Sequence, residues 1–178
     1  MKLDLPPYHE LQRYEGTGNY AIWKYYQWPY RIFYRKKLKM ILSLITKTPD
    51  CRILDFGAGP GIFTKTLQAV GVVKSIDFRD TIDPRWKFDL IICGSVLEFV
   101  DLKPALHTLK FMTKPGSEII VASPMKTWLS RLYFKSIKDT KSRHSHEVII
   151  EEMSKVFHVE TVKKWFGLYF ALRARCKT

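Results

Sequence analysis

Residues 51 to 61 read Cys-Arg-Ile-Leu-Asp-Phe-Gly-Ala-Gly-Pro-Gly. The apolar run from Cys51 to Phe56 predicts a short buried strand, and the glycines at 57, 59 and 61 predict a turn in which no side chain holds a ligand off the backbone. Pro60 and the following run Ile62 to Val70 predict a helix immediately after that turn. Strand, glycine turn and helix in this order are by themselves only a nucleotide-loop signal. Asp55, two positions before the first glycine, decides what that turn can hold.

A dinucleotide fingerprint requires Gly-x-Gly-x-x-Gly, with a pyrophosphate on the helix N-terminus. Here the third glycine comes one residue early and Ile62 takes its place. A carboxylate at Asp55 would repel a pyrophosphate but attract a cationic ligand carrying an ammonium and a sulfonium. S-adenosyl-L-methionine fits that description.

With these residues in place the chain resembles the class I S-adenosylmethionine-dependent methyltransferases, whose first strand ends in an acid-x-Gly-x-Gly-x-Gly loop as Asp55 to Gly61 does. Val72 to Asp77 is similar to the family's second strand, Phe88 to Cys93 followed by Gly94-Ser95-Val96-Leu97-Glu98-Phe99 to its fourth, and Glu118 to Ala122 after Pro115-Gly116 to its fifth. His158 to Lys164 and Leu168 to Arg175 would form the closing pair. The resemblance implies a Rossmann-like α/β fold: a mostly parallel sheet with helices on both faces and an antiparallel C-terminal strand. It implies that Asp55, Gly57, Ala58, Gly59 and Gly61 bind the cofactor, that Asp77 binds the ribose hydroxyls, that Phe78 lies against the adenine, and that Gly94 and Ser95 face the methyl group.

Only ten residues separate Asp77 from Phe88, where the family places a helix and a third strand; an average helix and strand need about seventeen. The sheet is therefore expected to lack that edge strand, with Asp80, Asp83 or Trp86 substituting at the adenine end. The expected organisation is one methyltransferase-like domain over 1–178: a basic, aromatic helical cap (1–49), a cofactor-binding core (50–123), a lid insertion (124–146), and a C-terminal helix with closing strands (147–178). In the cap, Pro29 can open a helix, and Tyr34, Leu38, Ile41, Leu42 and Ile45 make one apolar face, with Arg35, Lys36, Lys37 and Lys39 mostly on the other.

The 178 residues carry 30 Lys and Arg against 17 Asp and Glu, a formal charge of +13. The excess is not uniform. Residues 51–101 hold six basic and seven acidic side chains, 16–49 hold seven basic and no acid, and 102–143 hold nine basic against two acidic. Basic flanks around a neutral core predict an anionic methyl acceptor, or contact of 16–49 and 102–143 with nucleic acid or a membrane surface. Three scattered cysteines without metal-ligand spacing, no secretion signal and no apolar run of membrane-spanning length predict a cytoplasmic protein without a metal, with peripheral membrane attachment as a variant.

Methyl transfer from a sulfonium is an in-line displacement with the leaving group built into the cofactor, so the protein has mainly to position the acceptor and exclude water. Gly94 to Phe99 is not the Asp/Asn-Pro-Pro-Tyr/Phe segment of amino-methylating nucleic-acid enzymes, and there is no Pro-Cys pair to attack a pyrimidine. It resembles the Leu-Glu-His of quinone-type and other small-molecule methyltransferases, with Phe99 in place of the histidine. Glu98 and His146 are the candidate catalytic residues, orienting or deprotonating an acceptor, with His144 beside them. The expected function is methyl transfer to an O, N or C acceptor, an anionic small molecule or lipid. The competing readings are a nucleic-acid or protein methyltransferase and a non-catalytic binding module on the same fold.

Overall fold

Alternation and burial in six apolar segments build one mixed sheet. The computed structural model describes residues 3–14, 22–46, 50–77, 80, 83, 85–130 and 144–177. The strands are β1 (Cys51–Phe56), β2 (Gly71–Ile76), β3 (Phe88–Gly94), β4 (Thr113–Pro124), β5 (Phe157–Trp165) and β6 (Tyr169–Cys176), in the order β2-β1-β3-β4-β6-β5. β1 to β4 run parallel; β6 is antiparallel to β4, and β5 to β6. Central strands β1 and β3 are buried along almost their whole length, as parallel strands covered on both faces must be. β5, at one edge, alternates half-buried with exposed residues after the buried Phe157 and so shows the half-wet pattern of an edge.

Five α-helices lie wholly within the described residues: α1 (Tyr8–Leu11), α2 (Tyr30–Leu42), α3 (Thr64–Gln68), α4 (Leu102–Met112) and α5 (His146–Val156). Because successive strand residues point to opposite faces, the core divides in two. Ile53, Leu90, Ile92, Ile120, Ala122 and Ala171 join Leu38 and Ile41 of α2 and Leu67 of α3 on one face. Leu54, Ile91, Cys93, Ile119, Val121 and Leu172 join Leu106 and Leu109 of α4 and Ile149 and Met153 of α5 on the other. Helices on both faces and the antiparallel C-terminal strands agree with the expected fold class.

The cap corrects one expectation. Pro29 does precede α2, and Leu38, Ile41 and Leu42 are buried as the spacing predicts. Lys37, assigned to the solvent face, is only 6 % exposed and points inward. It sits one turn before Ile41, on the buried stripe, and its aliphatic stem lets a charged head reach past apolar neighbours.

Among the described residues the segment between β2 and β3 contains no strand, and β2 lies at the sheet edge. Its described part is turned back on itself, with Asp80 N donating to Asp77 O and Trp86 N to Asp83 O. Phe78 lies outside the described residues, as does 131–143, most of the expected lid insertion.

Candidate cofactor and acceptor site

The glycine turn closes onto the neighbouring strand. Gly57 N donates to Ile76 O at 2.8 Å and Ala58 N to the same carbonyl at 3.2 Å, which pins the turn at the C-terminal end of β1. Gly57 has φ +71°, and a Cβ there would stand 2.1 Å from Val96 Cγ2, so both backbone and space demand glycine. Gly61 N donates to Ala58 O at 3.0 Å, leading the chain to Thr64 and α3.

Asp55 shares the sheet face of Ile53 and so turns towards α2 and α3. Its carboxylate accepts from Thr64 Oγ1 at 3.0 Å, and the same hydroxyl lies 3.1 Å from Ser75 Oγ. Burial raises the Asp55 pKa to about 6, against the opposing pull of the Thr64 hydrogen bond. Asp55, Gly57, Ala58 and Gly94 border a cavity of about 50 Å³ that Ile62 and Phe63 close from the α3 side and Tyr25, Lys37, Leu38 and Ile41 close from the cap.

Lys37 is the charge in that lid. Its ammonium donates to Ser95 Oγ at 3.1 Å and to Tyr25 OH at 3.3 Å. It lies 5.8 Å from the Tyr25 ring, 6.0 Å from Tyr34 and 5.8 Å from Tyr169, within the range where aromatic faces attract a cation. Ser95 reaches this position through a left-handed backbone, φ 64°, with its N–H donating to Ala122 O at 2.7 Å. Lys37 and Thr64 were not among the expected site residues, and Tyr25 was expected only as one of several cap aromatics walling the cofactor. Lys37 was traceable from its place on the stripe of Ile41, but Tyr25 depends on how the chain before α2 packs, which no local spacing encodes.

Glu98 follows β3 and is 1 % exposed, with neither carboxylate oxygen hydrogen-bonded. Burial raises its pKa to about 7, while the nearby Ser123 hydroxyl, the Lys37 charge and the Ser95 hydroxyl hold it from rising further. A raised carboxyl pKa means a stabilising contribution present below pH 4.5, the ordinary value, and lost as pH climbs through 7. Glu98→Gln removes the charging, so the variant is expected to gain up to about 3 kcal/mol over wild type at pH 8 and nothing at pH 4. Urea titrations at the two pH values check this, and a pH-independent difference would contradict it.

His146 opens α5 and does not border the cavity of Asp55. It is 4 % exposed, its ring centroid is 5.9 Å from that of Phe170, and its Nδ1 is 2.9 Å from Glu147 Oε2. Burial lowers its pKa, with the Glu147 carboxylate opposing. His144 Nε2 is 3.0 Å from Val100 O. Asp77 ends just beyond β2, with its Oδ1 buried and unpartnered and its N–H donating to Asp80 at 2.6 Å. Of the suggested adenine substitutes, Asp83 pairs with Arg85 at 2.8 Å and Trp86 lies 4.5 Å from the Lys74 ammonium. Among the described residues no group of three or more His, Cys, Asp or Glu is arranged to hold a metal ion.

Comparison with known proteins bears on this geometry. A family described as a methyltransferase domain matches residues 29–168. The chain belongs to the methyltransferase domain family. The match spans α2, the glycine turn and the sheet as far as the start of β6, so the cap helix belongs to the family's domain along with the core. No curated protein matches. Among solved structures, the PH0226 protein of Pyrococcus horikoshii superposes with a TM-score of 0.68 at 14% identity, covering 93% of this chain and 99% of that one. The N-methyltransferase NodS of Bradyrhizobium japonicum, in complex with S-adenosylhomocysteine, gives 0.62 at 15% identity, with 96% and 98% covered. Magnesium protoporphyrin IX methyltransferase of Synechocystis, also with bound S-adenosylhomocysteine, gives 0.60 at 17% identity, with 96% and 94% covered. At these identities the likeness is one of fold.

The cofactor of this methyltransferase is S-adenosylmethionine, and the donor set suits it. The Asp55 carboxylate suits a cationic amino-acid end, and the orphaned Asp77 oxygen suits the hydroxyl donors of a ribose. Space is the exception: about 50 Å³ is well below the roughly 300 Å³ of a ligand pocket. Tyr25 and Lys37 are among the residues that close the cavity from the cap, so admitting a nucleoside requires its walls to open.

Proposed function

We propose that this methyltransferase acts on an O, N or C acceptor that is an anionic small molecule or lipid. The observation that carries this reading is the Lys37 ammonium, buried beside Ser95 at the wall of the cofactor cavity. A buried cation there favours a negatively charged group close to the transferred methyl. The cofactor supplies an activated methyl on a good leaving group; the protein's own residues orient and desolvate. Glu98, enclosed behind Ser95 and not bordering the cavity, would take the proton that an O–H or N–H acceptor releases only once uncovered. That the similar structures include a methyltransferase acting on magnesium protoporphyrin IX supports a small-molecule acceptor.

Calorimetry with S-adenosylmethionine and S-adenosylhomocysteine tests the site, and Lys37→Met tests the charge. The two ligands differ by one positive charge at sulfur, so Lys37 disfavours the methylated form. Lys37→Met is expected to improve S-adenosylmethionine relative to S-adenosylhomocysteine by about 5- to 10-fold, corresponding to ~1 kcal/mol of repulsion at protein-like dielectric. An unchanged ratio would remove Lys37 from the methyl-transfer site. Absence of heat with either ligand would favour a binding module on the methyltransferase fold.

Nucleic acid and membrane contacts through 16–49 and 102–143 separate by salt and by vesicles. Tight, steeply salt-dependent binding of unrelated oligonucleotides would favour a nucleic-acid acceptor, whereas flotation with anionic vesicles would favour a lipid one. Trp28 and Trp128, 72% and 75% exposed within those flanks, favour the lipid outcome.

A further inference from the structure

A second cavity, of about 280 Å³, lies between α2, residue 129 and the β5–β6 hairpin, and its walls are Phe33, Leu129, Trp165, Phe166 and Leu168. Every one of these side chains is apolar. The volume approaches that of small-ligand pockets, which are mostly apolar with a few convergent polar groups. A buried cation lies further along the same helix: Phe33 stands one helical turn before Lys37 on α2, and Leu168 adjoins Tyr169, whose ring faces the Lys37 ammonium at 5.8 Å. Residues four apart on a helix are neighbours on one face, so the apolar chamber and the buried cation sit end to end along α2.

The chamber is built. Thr127 Oγ1 donates to Gly167 O at 2.7 Å and Met125 N to Leu168 O at 2.8 Å, fastening the segment before residue 129 to the hairpin. Phe33 and Trp165 lie 5.5 Å apart, and Trp165 meets Phe166 edge-on at 5.5 Å. Phe166 adopts φ 44°, a conformation that side-chain-bearing residues rarely take, and remains 75% exposed at the rim. A turn that glycine would relax instead holds a phenyl ring at the mouth of an apolar chamber.

We propose that this chamber holds the hydrocarbon body of the methyl acceptor while Lys37 takes its negatively charged end, making the acceptor an anionic amphiphile. The inference rests on the methyl-transfer reading above and narrows its substrate class. Apolar walls recognise chain or ring carbon by area removed from water, and Lys37 fixes which end of the molecule meets the cofactor cavity.

Decanoate, decanol and acetate serve as probes in calorimetry on the whole chain, with S-adenosylhomocysteine titrated in parallel. The wild type is expected to bind decanoate, to bind decanol about tenfold more weakly, and to show no heat with acetate. Leu129→Glu, which sets a carboxylate among the walls, and Phe166→Ser, which alters an exposed rim residue, are expected to weaken decanoate and decanol alike, by tenfold or more for the first, with S-adenosylhomocysteine affinity unchanged. Lys37→Met is expected to erase the advantage of decanoate over decanol. Failure of the wild type to bind either decyl compound, binding that Leu129→Glu and Phe166→Ser both leave intact, or a decanoate preference that survives Lys37→Met would each overturn the inference. Loss of S-adenosylhomocysteine binding alone would strike the methyl-transfer reading and leave the decanoate result readable.

Discussion

Asp55→Asn is expected to weaken S-adenosylmethionine binding by about 100-fold while making the free protein more stable at pH 8. Both effects come from one carboxylate. Removing the charge that faces a cationic ligand in a desolvated site costs on the order of 2–5 kcal/mol of binding. In the free protein the same charge is a burden, because Asp55 is buried with one hydrogen bond, from Thr64, to the carboxylate. Its pKa is raised from 3.8 to about 6, so its stabilising contribution is complete below pH 3.8 and disappears as pH rises through 6. Asparagine keeps the Thr64 bond without the charge. Its advantage over wild type should grow across that window to at most about 3 kcal/mol and level off above it. Isothermal titration at pH 8 and thermal melts at pH 4 and pH 8 measure the two effects. Unchanged affinity in the asparagine variant would mean that Asp55 is merely a buried acid and that the cofactor is held elsewhere.

Gly57→Ala is expected to damage both stability and cofactor binding severely. The new Cβ would lie 2.1 Å from Val96 Cγ2, in a residue at φ +71°. A left-handed non-glycine residue costs roughly 1–2 kcal/mol and overpacking another 1–3. We expect a loss of about 2–5 kcal/mol in urea denaturation, together with loss of cofactor binding as the turn is pushed off Ile76. Gly116→Ala isolates the backbone part, because Gly116 has φ +72° with nothing within 4 Å of its would-be Cβ. Val96→Ala should rescue Gly57→Ala in part, giving a double variant less destabilised than the two single losses added together. If Gly57→Ala and Gly116→Ala cost the same, the contact with Val96 is not what requires glycine.

Much of the frame was legible from residues 51 to 124 because it depends on local rules. Buried runs such as Phe88 to Cys93 specify covered strands, and the glycine turn specifies where the first helix can begin; that helix proved shorter than Ile62 to Val70, covering Thr64–Gln68. The two closing strands were placed within about one residue, since alternation in His158 to Lys164 leaves little freedom of register. The site was less legible. Lys37 was assigned to water because a charge on a helix normally belongs there; only the convergence of Tyr25, Tyr34 and Tyr169, from three separate elements, makes an inward ammonium tolerable. Convergence of that kind has no signature in spacing. Glu98 was identified as a candidate by resemblance, yet nothing in the sequence announced that its carboxylate would be fully enclosed, which is what moves its titration towards neutrality.

Ser95 is a single hydroxyl shared between two neighbourhoods that the sheet otherwise keeps apart. It accepts from Lys37 on one side and, on the other, helps keep the Glu98 pKa below where burial alone would put it. A ligand that draws Lys37 outward therefore frees that hydroxyl and removes a nearby positive charge from Glu98 in the same movement. Loss of the charge favours the protonated carboxyl, while the freed hydroxyl favours the carboxylate, so the two changes pull Glu98 in opposite directions. Displacement of one lysine is thus felt at a carboxyl that the arriving molecule need not touch.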